Sequence, residues 1–193
     1  MARKIRERKL KAPNVTIIGE GLTERCYFKH LKSLKAYRYT CKPRNFSQQS
    51  IDDLQKQIDK VLADDGVAVC VFDADVTREK LAERKKLEAM QKKYAGNEQV
   101  VLCDSMPSIE FWFLIHYLNT NKYFASSADV IKILRRYLPD FSKHETYLSK
   151  EKWVVDMIAD GKLDMAMERA KAFGITGESY SNIYKAFEKF AEL

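Results

Sequence analysis

Thiols and imidazoles are scarce in this 193-residue chain, which has four cysteines and three histidines. Cys26, Cys41, Cys70 and Cys103 are widely spaced, with no C-x-x-C pair, and Cys70 and Cys103 fall inside apolar, strand-like runs. That pattern argues for reduced, buried thiols and against a disulfide framework. With only His30, His116 and His144 to complete a ligand set, it also argues against a His/Cys zinc centre. No apolar run reaches the length of a membrane span. The N-terminus is basic and has no apolar stretch resembling a secretion signal. A cytoplasmic protein with no membrane partner is expected. Walker, dinucleotide-binding and nucleophile-elbow glycine patterns are all missing, so ATP binding through a P-loop is not expected.

Positive charge is plentiful and uneven. The formal net charge is +7. Arg3, Lys4, Arg6, Arg8, Lys9 and Lys11 make a basic N-terminal arm, read as a polyanion contact. Arg84, Lys85, Lys86, Lys92 and Lys93 fall on one expected helix, and Lys132, Arg135 and Arg136 on another. For these helical charges, nucleic-acid contact and a solvated surface stand as equal readings.

Hydrophobic periodicity gives strands over 15–19, 37–42, 67–72 and 99–103. Helices are expected between them over 23–35, 50–64 and 77–94. Thr23 is the expected cap of the first helix and Ser50 of the second. The unbroken apolar run Val67 to Phe72 suits a central parallel strand covered on both faces. The βαβαβαβ order predicts a doubly wound α/β sheet, mostly parallel and flanked by helices. The remainder reads as a helical C-terminal part, with helices over 108–118, 128–138, 150–159, 163–173 and 181–190 and loops over 119–126 and 139–149. The domain reading is an arm over 1–12, an α/β core over 13–118 and a helical extension packed on it over 119–193.

Acids sit where these strands stop. Glu20 lies between Gly19 and Gly21, which permit a sharp turn after the first strand. Asp73 and Asp75 follow the apolar run 67–72, and alternate residues of an extended segment point the same way. Strand ends of a parallel sheet share one crevice, so these carboxylates would repel one another unless a hard divalent cation joined them. Glu24 falls in the first turn of a helix, where capping and a direct metal role stand as equal readings. Glu110, in the first turn of an apolar helix and close after Asp104, is a candidate for a second metal or for substrate contact. His116 reads as a core histidine, and Phe111, Trp112, Phe113 and Tyr117 as core aromatics.

Gly-Glu-Gly-Leu-Thr-Glu (19–24) followed by Phe-Asp-Ala-Asp (72–75) resembles the TOPRIM domain of topoisomerases, primases and OLD-type nucleases. Ser-Met-Pro-Ser-Ile-Glu-Phe-Trp-Phe-Leu-Ile-His-Tyr (105–117) and Ser-Asn-Ile-Tyr-Lys-Ala-Phe-Glu-Lys-Phe (181–190) are similar to segments of the RloB family, TOPRIM-like proteins of bacterial abortive-infection and restriction loci. Met106 stands where that family usually has asparagine, and Ile109 where it has phenylalanine. The resemblance implies a TOPRIM-like, Rossmann-type fold with Glu20, Asp73 and Asp75 as metal ligands and Glu110 as a family-specific addition. It also implies a partner ATPase of the ABC/SMC type and an effector role in phage defence.

The leading expectation is a Mg²⁺- or Mn²⁺-dependent nuclease acting on RNA, including tRNA, or on DNA. Its catalytic residues would be Glu20, Glu24, Asp73, Asp75 and Glu110, and a homo-oligomer is compatible with the sequence. Two alternatives stand beside it. Asp73-Ala74-Asp75-Val76-Thr77 fits the D-x-D-x-T signature of a haloacid-dehalogenase-like phosphatase, with Asp73 as nucleophile. A non-catalytic nucleic-acid-binding or sensor subunit is the other.

Overall fold

The computed structural model describes residues 14–19, 21–43, 50–174 and 177–192. The basic arm from Arg3 to Lys11 and the acid Glu20 lie outside the described residues. Five strands form one sheet in the order β2-β1-β3-β4-β5. They are β1 (Val15–Gly19), β2 (Thr40–Pro43), β3 (Val67–Asp73), β4 (Val100–Met106) and β5 (Tyr180–Ser181). The first four run parallel, and β5 pairs antiparallel with the end of β4.

The run 67–73 is the centre of the sheet because it alternates between two apolar environments. Val67, Val69 and Val71 face one core; Ala68, Cys70 and Phe72 face the other. The smaller core is closed by α2 (Ile51–Ala63) and α4 (Leu81–Tyr94), through Ile51, Leu54, Ile58, Leu87 and Met90. The larger core is closed by α1 (Leu22–Leu34), α5 (Ile109–Leu114) and the helices that follow. Those are α6 (Ser127–Leu134), α7 (Glu145–Leu148), α8 (Lys152–Ile158), α9 (Lys162–Phe173) and α10 (Tyr184–Ala191). Aromatic rings bind the two parts of this core: Trp112 of α5 stacks on Phe187 of α10 at 5.6 Å, and its indole N–H donates to the Tyr27 hydroxyl at 2.8 Å.

The mixed α/β sheet, its helical flanks and the helical C-terminal part agree with the sequence reading. Several local details do not. Ser50 caps α2 as expected, its hydroxyl accepting from the Asp53 N–H. In α1, however, the cap is Gly21, and Thr23 is already inside the helix and buried. The expected helix over 77–94 is broken into α3 (Val76–Glu79) and α4, with Lys80 extended between them. The break has a visible cause: the Thr77 carbonyl is taken by the Arg84 guanidinium at 3.1 Å, not by a continuing helix. The helix expected over 108–118 ends at Leu114 because His116 and Tyr117 switch to i→i−3 bonds, a 3₁₀-type tightening.

Strand β5 was not anticipated. Two residues are too few to show a period, and the strand is fixed by long-range contacts. Buried Asp104 accepts from the Tyr180 hydroxyl and the Asn182 side-chain amide, both at 2.8 Å. The Ser105 and Ser181 hydroxyls pair at 2.8 Å. Asp104 is therefore a structural acid that fastens the C-terminal segment to the sheet. Phe72 is 2% exposed at the heart of the smaller core. Phe72→Ala should lower unfolding stability by about 3–5 kcal/mol, measured by urea denaturation.

Candidate functional site at the ends of β1 and β3

The chain enters β2 and β3 on opposite sides of β1, so the strand order reverses at the β1–β3 boundary. Loops leaving these two strands diverge there and open a crevice at the carboxyl edge of the sheet. Strand β1 delivers Gly19, the neighbour of Glu20, to that edge. A Cβ at Gly19 would lie 3.0 Å from the Glu24 Cβ, and one at Gly21 would lie 3.2 Å from Glu24 Oε2. The two glycines therefore let Glu24 fold back over the turn, where its Oε2 accepts the Gly21 N–H at 2.8 Å. Glu24 is 5% exposed.

Strand β3 ends on Asp73, whose Oδ1 accepts the Ile109 N–H at 2.9 Å. That bond joins the end of β3 to the first turn of α5. The chain does not continue extended through Asp75: Thr77 donates both its N–H and its hydroxyl to the Ala74 carbonyl, and the Arg78 N–H bonds the Asp75 carbonyl. The alternation that would face Asp73 and Asp75 the same way thus stops at the turn, and Asp75 is exposed.

Glu110 is fully buried. Its Oε2 accepts the Ser108 hydroxyl at 2.6 Å, and its Oε1 lies 2.9 Å from the Lys143 ammonium. This second contact is an ion pair without directed hydrogen-bond geometry at Oε1. Lys143 comes from the segment between α6 and α7 and is about half exposed. Burial works against its charge, but Glu110, then Asp73 and Glu24, outweigh that cost and raise its pKa above the ordinary lysine value. Lys143 thus pairs directly with Glu110 and feels the charge of acids from two further elements. Lys143 and Ser108 were missed in the sequence, where Ser142-Lys143-His144 reads as unremarkable polar loop.

The other candidates divide plainly. Among the described residues, no group of three or more His, Cys, Asp or Glu is arranged to hold a metal ion. His116 is the core histidine expected. Its Nδ1–H donates to the Trp112 carbonyl at 2.9 Å, and burial depresses its pKa to about 3. The α4 cations are largely spoken for: Lys86 pairs with Asp52 at 2.7 Å and Lys93 with Asp59 at 2.9 Å. Arg135 donates to the Phe141 carbonyl at 3.0 Å. These bonds favour the solvated-surface reading for those residues.

No helix among the described residues is long and apolar enough to cross a membrane. A family model described as RloB-like protein matches residues 15–189, and the chain belongs to that family. No curated protein and no solved structure matches it.

Two predictions follow from the buried charges. Lys143→Met leaves Glu110 buried without its cation and should cost about 1–3 kcal/mol in urea denaturation, less than a fully buried pair because Lys143 is half exposed. Adding Glu110→Gln should restore part of that loss, giving a measurable coupling in the double-mutant cycle. His116 is neutral in the fold, with a pKa below that of the unfolded chain. Its contribution is present above the unfolded pKa and is lost as pH falls towards the folded value. The wild type should therefore lose roughly 3 kcal/mol more than His116→Gln between pH 7 and pH 4, read from urea midpoints at each pH.

Proposed function

We propose that this RloB-like protein is a divalent-metal-dependent nuclease, a TOPRIM-like effector in bacterial phage defence that works with a partner ATPase. The observation that supports it most is the buried Glu110–Lys143 ion pair close to the switch point of the sheet, where the charges of Asp73 and Glu24 also act on Lys143. In the chain, Glu20 directly follows Gly19, the last residue of β1. Glu20 and Asp73 would hold the ion, with Asp75 as an outer ligand from the exposed turn that follows β3. Their donor atoms are all carboxylate oxygens, which suits Mg²⁺ or Mn²⁺ and disfavours softer metals.

When bound, such an ion polarises a scissile phosphate and lowers the pKa of an attacking water. The protein's own groups supply the rest. Asp73 is fixed in direction by the Ile109 N–H. Glu110 and Ser108 hold Lys143 in place, and its half-exposed ammonium would neutralise phosphate charge that grows in the transition state. Glu20 would act as general base towards water. Glu24, committed to the Gly21 N–H, would set the shape of the turn that carries Glu20.

The test is cleavage of labelled tRNA and plasmid DNA in Mn²⁺ or in EDTA, comparing the purified chain with Asp73→Asn. Metal-dependent cleavage reduced about 100-fold or more by the substitution is expected. Cleavage that persists in EDTA or in Asp73→Asn would overturn the assignment. Burst release from a small phosphate ester in its place would favour the phosphatase chemistry of Asp73.

A further inference from the structure

Helix α1 carries a basic face that the candidate site does not use. Arg25, Lys29 and Lys32 are all exposed and are spaced by four and three residues. Such spacing aligns them on one side of the helix over about 10 Å. They line a cleft of about 470 Å³ whose wall also includes Cys26 and Cys41. Among the described residues, Glu145 is the one acid that lines it. Among the described residues, none of the three cations is in an ion pair, whereas Lys86 and Lys93 across the sheet are each paired with an aspartate of α2. Charge left unneutralised along a concave surface is the electrostatic footprint of a polyanion site.

The cleft adjoins the acidic crevice. Arg25 directly follows Glu24 in the chain. Arg25 and Cys41 also line a small gap beside Gly19 and Glu24. At the opposite wall, Glu145 lies two residues beyond Lys143. A strand lying against α1 would therefore run from Lys32 past Lys29 and Arg25 to the ends of β1 and β3.

We propose that the α1 cleft is the track for the phosphodiester backbone of the nucleic-acid substrate, with Arg25, Lys29 and Lys32 contacting phosphates in succession. The inference rests on the nuclease reading above and adds the path of the substrate. Phosphate contacts position a strand without reading its sequence, so binding here is sequence-independent and strongly salt-dependent.

Fluorescence anisotropy in EDTA, with labelled single-stranded RNA, single-stranded DNA and duplex DNA as separate arms, tests this without cleavage. Lys29→Glu with Lys32→Glu should weaken binding about 10-fold or more and reduce the salt slope by about 2. Lys85→Glu with Lys92→Glu on α4, which makes the same change in net charge, should leave binding within about 2-fold. Bound RNA or DNA should also slow alkylation of Cys41 in the unaltered chain, a readout that needs no substitution in the track. Equal losses from the α1 and α4 pairs, no loss from the α1 pair, or no binding by the wild type would each overturn the track. Cleavage that requires metal and Asp73 while the α1 pair binds normally would sink the track and leave the nuclease reading standing.

Discussion

The pairing of β1 with β3 is the constraint on which the rest depends. Five residues of β1 lie parallel to β3, from Val15 against Val67 to Gly19 against Val71. Because β2 lies on the other side of β1, the chain leaves these two strands towards opposite faces of the sheet. Parallel strands can be joined only by crossovers, and crossovers diverging from one boundary leave a gap at its carboxyl end. Glycines at 19 and 21 let the first turn stay tight. Asp73 closes the other side by capping the first N–H of α5.

Burying Glu110 there is expensive, and the surrounding structure reflects how that cost is met. A fully buried carboxylate needs both oxygens occupied. Ser108, two residues away, satisfies one, and Lys143 approaches the other across 33 residues of chain. Helix α6 and the segment after it are thereby tied to the site: the large aromatic core that seats α6 also decides where Lys143 falls. On the far face of the sheet, Lys86 and Lys93 of α4 are paired with aspartates of α2. Among the described residues, Arg25, Lys29 and Lys32 of α1 have no such acid partner.

How much of this the sequence discloses depends on the range of the interactions. Strands β1, β3 and β4 were legible because each is a run of β-branched and apolar residues bounded by turn chemistry, whereas β2, with only Thr40 to Pro43 in the sheet, starts three residues later than its pattern predicts. Ser50 announced α2 for the same local reason. Glu24, Asp73 and Glu110 were found because acids after apolar runs are unusual. Lys143 was not, since its identity as a partner exists only through contacts with residues far away in the chain. Strand β5 escaped for the same reason, being held by Asp104 and Ser105 and not by its own propensity. The basic face of α1 had a local signal, the spacing of residues 25, 29 and 32. It was obscured by the denser charge of α4, whose pairing with α2 could not be seen from the sequence.

The central claim is that the strand-end acids take up a divalent cation. Electron paramagnetic resonance of free Mn²⁺, titrated into the purified chain, tests this apart from any substrate. The account predicts that the wild type removes the free-ion signal, that Mg²⁺ restores it by competition, and that Asp73→Asn fails to remove it. A wild type that leaves the signal untouched, or an Asp73→Asn variant that takes up Mn²⁺ equally well, would contradict the account.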